Sequence, residues 1–447
     1  MNTSKYFRHT CFVCTLLLLP TIAFSQDRTP IEKLVNNFPL ELSKQARSAD
    51  LPELLSGGDK ALYFAMRTSE FFPTAILPSQ QSPRSLSLEL IPEIGKIKAK
   101  TQHFGTLSLD DFLAKSESYA QGFIVIHKGK IVYEKYPRMR LEDHHVWMSN
   151  AKVTASLVID LLINDGKIDE KKTMADYVPA FHGTPTGKVT VKDVLDMTTG
   201  LNSDEHPGTR SDPNSIATRT FRAEFGMPQN GKVERLIDVL KDAQFVSKPG
   251  DKFQYASAST QLLVFLAEAV EQKRWSEIFN ERIWSKISAD APIQLHMTPD
   301  GVVAAHGLIS SNLRDHARFG MLYTPSWNKV STDQIVTPAM ITRIQDGVRT
   351  KEFFLGGFNG PAFVKIFADD TMISNSRQWD IIWPDGDFWK GGMMSQGLYI
   401  SPSKDLVIAY FSLNAPDRSI DRYLRPIANS KLIQGELSIN PNLSNSE

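Results

Sequence analysis

Hydrophobic patterning in the first two thirds of the chain predicts a hairpin followed by helices. Residues 122–127 (Gly-Phe-Ile-Val-Ile-His) and 131–134 (Ile-Val-Tyr-Glu) are apolar runs on either side of Lys128-Gly129-Lys130, which predicts a β-hairpin. Apolar residues then recur at helical spacing from 153 to 165. Residues 202–230 are rich in Pro, Gly, Asp and Asn and predict a long surface loop.

Strand patterns return near the carboxyl terminus. Residues 398–400 (Leu-Tyr-Ile) and 406–411 (Leu-Val-Ile-Ala-Tyr-Phe) lie on either side of a turn at 401–405, and a last helix is expected over about 420–433. Strands therefore lie at both ends, with helices between them. The simplest architecture is an α/β (α+β) fold, in which an antiparallel sheet built from both ends of the chain is flanked by helices and carries an inserted, mostly helical domain.

These patterns divide the chain into regions. We expect a signal peptide (1–25), an N-terminal wrapping segment with Pro- and Ser-rich connections (26–115), an α/β domain in two pieces (116–165 and 305–447) and a helical domain (166–304). The junction between the first α/β piece and the helical domain is a common place for a cleft.

The first residues have the layout of a secretory signal peptide. Lys5 and Arg8 precede an apolar run at 11–24, and polar residues follow Ser25, where we expect cleavage. The run is too short for a comfortable membrane span, which argues against stable membrane insertion, although an uncleaved anchor is the alternative. Both cysteines lie inside this run, so the mature chain would have no disulfide and no cysteine nucleophile. A periplasmic or secreted protein is expected.

Composition and charge exclude several classes of partner. Of the 447 residues, 41% are apolar, and 50 basic residues balance 50 acidic ones, which favours neither nucleic acid nor an anionic membrane surface. The pair His144-His145 is adjacent, and His306 and His316 are ten apart with no matching carboxylates. Core or solvated histidines are therefore expected rather than a metal site, and no cofactor is predicted. Nothing in the sequence specifies an oligomeric state.

The sequence Ser149-Asn150-Ala151-Lys152 places a hydroxyl and an amine one helical turn apart, at the start of the apolar helix. A serine hydroxyl is a weak nucleophile unless a neighbouring base takes its proton. A lysine can be that base when burial or another cation lowers its pKa. The alternative is that Ser149 only caps the helix. Two further Ser-x-x-Lys matches begin at Ser326 and Ser401, but they fall in a probable loop and a turn.

Two later segments carry further candidate chemistry. Tyr255 lies between a Pro-Gly turn and an apolar helix, and near lysines its pKa would fall, which would let it relay a proton. Lys390-Gly391-Gly392 precedes a strand, where the glycines allow close approach of a substrate and Lys390 could bind a carboxylate or lower the pKa of Lys152. Taken alone, each motif favours the simpler interpretation: a half-buried tyrosine bonded to a backbone carbonyl, and a glycine-rich turn with a solvated lysine.

The three elements together resemble the serine β-lactamase and penicillin-binding superfamily, which combines Ser-x-x-Lys, Tyr-x-Asn or Ser-x-Asn, and Lys-Thr-Gly or His-x-Gly in this order. The chain looks most like the class C-related branch that includes carboxylesterases and 6-aminohexanoate-dimer hydrolases. The likeness extends over roughly 65–415. Further similar segments are 71–75, 122–136, 189–201, 307–320 and 396–407.

The resemblance implies a β-lactamase/transpeptidase-like fold and acyl transfer through a serine ester. By this likeness Ser149 is the nucleophile, Lys152 its activating amine and Tyr255 the second proton-transfer group. The backbone N–H groups of Ser149 and Met393 would form the oxyanion hole. Lys390 and Gly392 would contact the substrate.

The chain also departs from the family pattern. Ser257 stands where asparagine is usual, so a substrate contact is changed or absent, and Gly391 replaces threonine. Met394 and Ser395 replace glycines often found in the esterase branch. Apolar residues near the third element predict either an acyl pocket or sheet core: Trp383, Phe388, Trp389, Met393 and Met394.

We therefore expect an exported serine hydrolase that cleaves a small-molecule ester, amide or peptide through an acyl-enzyme. The alternatives are a penicillin-binding, peptidoglycan-directed carboxypeptidase, D-aminopeptidase or β-lactamase with slow turnover, and a non-catalytic binding protein on the same fold. Retention of serine, lysine, tyrosine and lysine at the motif positions argues against the last of these.

Overall fold

The computed structural model describes residues 38–347, 349–367, 374–413 and 417–434. The predicted signal peptide, with both cysteines, lies outside the described residues. Among those residues, no helix combines the length and the apolar character that crossing a membrane requires.

The strands of the described residues are β1 (Thr74–Leu77), β2 (Ser87–Leu88), β3 (Lys98–Lys100), β4 (Thr106–Ser108), β5 (Ala120–His127), β6 (Lys130–Lys135), β7 (His145–Val146), β8 (Ile293–His296), β9 (Ile309–Ser311), β10 (Ser374–Ser376), β11 (Trp379–Ile382), β12 (Phe388–Gly392), β13 (Gln396–Ser401) and β14 (Leu406–Ser412). The α-helices are α1 (Leu40–Ser48), α2 (Leu51–Leu54), α3 (Gly58–Met66), α4 (Leu109–Ala114), α5 (Lys152–Asn164), α6 (Val191–Leu195), α7 (Pro207–Ser211), α8 (Ile216–Glu224), α9 (Leu236–Lys241), α10 (Ser257–Glu271), α11 (Trp275–Arg282), α12 (Leu313–Met321), α13 (Pro338–Asp346), α14 (Lys351–Leu355), α15 (Asn359–Phe367), α16 (Leu424–Ala428) and α17 (Lys431–Gln434).

The main sheet joins the two ends of the chain, as the sequence predicted. Its strand order is β10-β11-β12-β13-β14-β5-β6-β2, and the pair β14–β5 connects the late strands to the early hairpin. Its neighbours are antiparallel except at one edge, where β2 runs parallel to β6. Smaller sheets have the orders β1-β8-β9-β7 and β3-β4.

Helices cover both faces of the main sheet, which explains why its strands are continuous apolar runs. Along β5 all eight residues are buried. Ile124 and Ile126 belong to a core shared with α5, α10 and α12, whereas Phe123 and Val125 belong to a core shared with α4 and α16. A strand that is buried on both faces has no side chains facing water, so its sequence does not alternate between apolar and polar residues.

The described part of the wrapping segment contributes to several layers rather than forming a unit of its own. Strand β1 pairs with β8, β2 pairs with the hairpin strand β6, and α1 and α3 pack their apolar residues into the larger core. The residue boundaries of the domains remain a prediction.

Two predicted elements differ from the structure. The loop predicted at 202–230 contains α7 and α8, and the Ser215 hydroxyl caps α8 by accepting from the N–H of Thr218 at 3.1 Å. The single helix predicted at 420–433 is broken into a 3₁₀ turn (Ser419–Tyr423), α16 and α17. Pro426 has no N–H for the carbonyl four residues earlier, so a continuous α-helix would lose that bond.

Candidate active site

Ser149 lies in a 3₁₀ turn, Met148–Ala151, that leads directly into α5. The turn is held at its start because the Trp147 N–H donates to the Ile309 carbonyl at 2.7 Å. Met148 adopts a left-handed conformation with φ of +50°, an uncommon state for a residue with a side chain. The sharp turn thus presents Ser149 at the end of a buried helix.

The glycine at 392 is required because β12 passes close to this turn. A Cβ atom on Gly392 would lie 3.0 Å from Asn150 Nδ2 and 3.1 Å from Met148 Cβ. The Arg418 guanidinium donates to the Gly392 carbonyl at 2.8 Å and fixes the strand there. The first and third sequence motifs are therefore in direct contact.

Lys152 is fully buried and its amine faces three oxygens. The Nζ atom lies 3.3 Å from Ser149 Oγ, 3.0 Å from Ser257 Oγ and 2.8 Å from the His306 carbonyl oxygen. Three acceptors fix the amine beside the serine hydroxyl, as the one-turn spacing predicted.

Burial lowers the pKa of Lys152 from its usual 10.5 to about 7. The positive charge of Lys390 lowers it further, whereas the carboxylates of Glu205, Asp380 and Glu224 raise it. At neutral pH a large fraction of Lys152 is therefore the free amine, which is the form that can accept a proton. Burial thus lowers the pKa of Lys152 far enough for its amine to act as a base near neutral pH.

Tyr255 lies in the segment before α10, near Ser149, whose hydroxyl acts to lower the pKa of the phenol. Lys152 Nζ is 5.2 Å and Lys390 Nζ is 4.8 Å from the centre of its ring. Burial, with the nearby charges of Asp380 and Glu205, raises the pKa of Tyr255 well above 10. The expectation of a lowered pKa is wrong, because burial and the carboxylates of Asp380 and Glu205 raise it by more than Ser149 and Arg210 lower it. Tyr255 is a neutral phenol that can donate a proton.

Lys390 is buried in an ion pair and is not the solvated lysine of the simpler interpretation. Its Nζ atom lies 2.5 Å from Asp380 Oδ1, on the neighbouring strand β11. The other carboxylate oxygen of Asp380 accepts from the Gly391 N–H at 3.0 Å. A Cβ atom on Gly391 would lie 2.4 Å from the Trp389 ring, so the threonine of the family pattern has no room here.

Ser257, which replaces the usual asparagine, is tied to protein groups. Its hydroxyl contacts Lys152 and its backbone N–H donates to Glu205 Oε1 at 2.6 Å. Glu205 also accepts from Arg210 at 2.8 Å, and its own N–H donates to the Tyr255 carbonyl at 2.8 Å. Burial acts to raise the pKa of Glu205, but Arg210, Lys152 and the bond from Ser257 outweigh it and hold the pKa at about 2.

The apolar residues near the third motif are mostly core residues rather than the lining of an open acyl pocket. Met393 is 36% exposed, whereas the other apolar candidates belong to the buried cores: Trp383, Phe388, Trp389 and Met394. Met394 and Ser395 have φ of +60° and +65°, left-handed values that glycine adopts without strain. The backbone here therefore adopts, at two residues with side chains, a conformation that usually favours glycine.

The histidines have separate roles, and in the described residues no group of three or more His, Cys, Asp or Glu is placed to hold a metal ion. His145 and His316 are buried and each stacks on Phe411, at 4.6 and 5.2 Å. His306 Nε2 lies 2.8 Å from the buried carboxylate of Glu224 on α8, and its carbonyl contacts Lys152. His306 is therefore part of the site's surroundings.

The other Ser-x-x-Lys sequences lack this arrangement. The Ser326 hydroxyl donates to Asp405 at 2.5 Å, and Ser401 is buried in β13. Lys404, the lysine of the Ser401 match, pairs with Asp385 and Asp387. Sequence reasoning did not find Glu205, Glu224 or Asp380, because acidic residues far apart in the chain carry no local pattern.

A family model described as Beta-lactamase matches residues 115–429, which is most of the chain. The chain belongs to the beta-lactamase family and is a serine hydrolase of that family. The resemblance inferred from the three motifs is thereby confirmed.

Two of the similar proteins are described as 6-aminohexanoate-dimer hydrolases. The 6-aminohexanoate-dimer hydrolase of Paenarthrobacter ureafaciens is 25% identical over 299 residues, which are 66% of this chain and 73% of the relative. The solved structure called "Putative 6-aminohexanoate-dimer hydrolase from Bacillus anthracis" has a TM-score of 0.68 at 23% identity, covering 82% of this chain and 92% of its own.

More distant solved structures share the fold. "EstCE1, a hydrolase with promiscuous acyltransferase activity" has a TM-score of 0.50 at 15% identity, over 71% of this chain and 98% of its own. A class C β-lactamase has a TM-score of 0.50 at 14% identity, over 69% of this chain and 90% of its own. The predicted β-lactamase-like α/β fold is confirmed.

Proposed function

We propose that this protein is an exported serine hydrolase that cleaves a small ester or amide through an acyl-enzyme on Ser149. The observation that carries the proposal is the position of a fully buried Lys152 amine, with a pKa of about 7, 3.3 Å from the Ser149 hydroxyl. A buried lysine is costly for folding, and a pKa tuned to the working pH is what a general base needs.

Acylation follows from this geometry. The free amine of Lys152 takes the proton of Ser149, and Oγ forms a bond to the substrate carbonyl carbon. The N–H groups of Ser149 and Met393 would stabilise the resulting oxyanion. The neutral phenol of Tyr255, near Ser149, can then protonate the leaving alcohol or amine as its bond to carbon breaks. Lysinium returns a proton to the phenolate and restores both groups.

Deacylation uses the same groups in reverse. A water molecule gives its proton to the free amine of Lys152 as its oxygen bonds to the ester carbonyl carbon, and the lysinium then gives that proton to Ser149 Oγ as the bond between Oγ and the carbonyl carbon breaks. Two buried groups with different pKa values, one a neutral amine and one a neutral phenol, can serve both half-reactions. The products are the carboxylic acid and the regenerated serine.

The relatives indicate which bonds to test first. A 6-aminohexanoate-dimer hydrolase acts, as its name states, on a 6-aminohexanoate dimer, and a hydrolase with acyltransferase activity shares the fold. Two units of an amino acid are joined by an amide, and acyl transfer is also the chemistry of ester cleavage. An ester and an amide should therefore be offered side by side. The penicillin-binding alternative predicts a long-lived covalent adduct instead of turnover.

The test is hydrolysis of p-nitrophenyl butyrate and of the linear 6-aminohexanoate dimer by the purified chain without residues 1–25, compared with Ser149→Ala. Removing a nucleophile that works together with its activating base lowers kcat by about 10⁴-fold or more. The matched control is Ser326→Ala, which alters the serine of another Ser-x-x-Lys sequence.

We expect Ser149→Ala to be inactive and Ser326→Ala to keep the wild-type rate. Equal rates in wild type and Ser149→Ala would contradict the proposal. Mass spectrometry after incubation with benzylpenicillin, showing a persistent adduct without ester turnover, would instead support the penicillin-binding alternative.

A further inference from the structure

The Asp380–Lys390 ion pair occupies the position from which Lys390 could bind a substrate anion. Strands β11 and β12 are antiparallel, and their register pairs Ile381 with Trp389, so Asp380 and Lys390 lie opposite each other. Both side chains are buried, with exposures of 2% and 0%. Their atoms approach to 2.5 Å, the geometry of a charge-assisted hydrogen bond.

The other neighbour of the Lys390 ammonium is also protein. The Tyr255 ring lies beneath it at 4.8 Å, in the geometry of a cation–π contact. The carboxylate of Asp380 is in turn fixed by the Gly391 N–H at 3.0 Å. A substrate carboxylate that bound Lys390 would have to displace a buried, doubly bonded carboxylate, which costs much more than displacing water.

The cations near the reacting groups are each paired with a carboxylate. Arg210 pairs with Glu205, Lys390 with Asp380, and Arg418, which also donates to the Gly392 carbonyl, with Asp421. A charge that leaves water and enters such a site without a partner carries a large desolvation cost. An acyl donor that carries a carboxylate beside the scissile bond would therefore have to break one of these ion pairs or remain without a partner.

We propose that Asp380 is a specificity-determining residue that keeps Lys390 engaged, so that the site discriminates against acyl donors whose leaving group carries a carboxylate close to the scissile bond. This inference rests on the proposed function, because it concerns substrates of the Ser149 acyl-enzyme. It distinguishes between the two uses of Lys390 that the sequence left open: the lysine acts on the charge of Lys152 and is not a receptor for a carboxylate.

The test compares two esters that differ in one group, 3-carbamoylphenyl butyrate and 3-carboxyphenyl butyrate. The measured quantity is the ratio of their kcat/KM values on each enzyme at one pH. A change in the basicity of Lys152 affects both esters and cancels in that ratio. The variants are Asp380→Asn, which keeps an acceptor for the Gly391 N–H, and the matched control Asp160→Asn, which alters another buried aspartate in an ion pair, with Arg377.

We expect the wild type to prefer the neutral ester by about tenfold or more, which corresponds to one uncompensated charge in the site. Asp380→Asn should reduce that preference at least severalfold, and Asp160→Asn should leave it unchanged. A wild type that hydrolyses both esters equally well, or an active Asp380→Asn with the wild-type ratio, would overturn the inference. Hydrolysis of neither ester in a Ser149-dependent manner would instead count against the proposed function.

A second variant keeps the inference testable if Asp380→Asn does not fold. The double variant Asp380→Asn/Lys390→Met removes both charges of the pair, so the ratio of the two kcat/KM values should stay near its wild-type value, although both rates can fall. A selective loss of the anionic ester in this double variant would show that Lys390 binds the carboxylate, and the inference would be wrong.

Discussion

The pKa of Lys152 should determine how the rate of this enzyme depends on pH. Only the free amine can accept the Ser149 proton, and burial holds its pKa at about 7. Values of kcat/KM report the free enzyme, so they should rise through pH 7 to a plateau. The rate at pH 6 should be about a tenth of the plateau and the rate at pH 7 about half of it, from simple one-group titration.

Replacing Glu205 by glutamine should move this rise to lower pH. The Glu205 carboxylate favours the charged form of Lys152, so its removal favours the free amine at lower pH, and Arg210 left without its partner acts in the same direction. An opposite charge within ~4–6 Å changes a pKa by about 1 unit or more, so the rise of kcat/KM with pH should move to lower pH by roughly one unit. Glutamine keeps an oxygen for the Ser257 N–H, which preserves the local structure.

The assay is initial-rate hydrolysis of p-nitrophenyl butyrate from pH 5 to 9, corrected for ionisation of the released phenol. The matched control is Glu234→Gln in the same region, whose carboxylate pairs with Arg219 away from Lys152. Its profile should coincide with that of the wild type. A wild-type profile that is flat from pH 6 to 9, or a Glu205→Gln limb displaced to higher pH, would refute the reasoning.

Two further predictions concern stability and export. Lys152→Met should abolish activity yet raise the free energy of unfolding at pH 7 by about 2 kcal/mol, because the ~5 kcal/mol cost of lowering the lysine pKa from 10.5 to about 7 exceeds the cost of leaving its oxygen partners unpaired. The unfolded lysine binds its proton up to about pH 10.5, so in urea unfolding the advantage of the variant should shrink as the pH rises from 7 to 10, and an advantage that grows with pH would contradict this. The exported protein should begin at Gln26 in intact-mass spectrometry of a periplasmic fraction, whereas a mass that includes Met1 to Ser25 would contradict cleavage.

Local patterns predicted the parts of the molecule that local physics controls. The hairpin and the late strands appeared where apolar runs flank short turns, and α5 begins one turn after Ser149 because its apolar residues recur at helical spacing. Pro426 was the signal missed in the last helix, since a proline interrupts backbone hydrogen bonding wherever the sequence places it.

Charges and burial around the site could not be predicted in this way. Sequence spacing placed Lys152 beside Ser149, but it gave the wrong direction for the pKa of Tyr255 and left Lys390 between two roles. Both depend on Asp380, which is ten residues from Lys390 and meets it only because β11 and β12 are neighbours.

The sequence alone therefore determined the order of the three motifs, the apolar helix that follows Ser149 and the family to which the motifs point, because periodicity and turn chemistry act between residues close in the chain. Only the structure places Lys390-Gly391-Gly392 inside strand β12 rather than in a turn. Only the tertiary structure decided that Ser257 contacts Lys152, that Glu205 and Glu224 lie near the amine, and that Lys390 is engaged by Asp380. The physical reason is that desolvation and electrostatic interactions depend on distance through space, and the fold brings together groups that the sequence keeps apart.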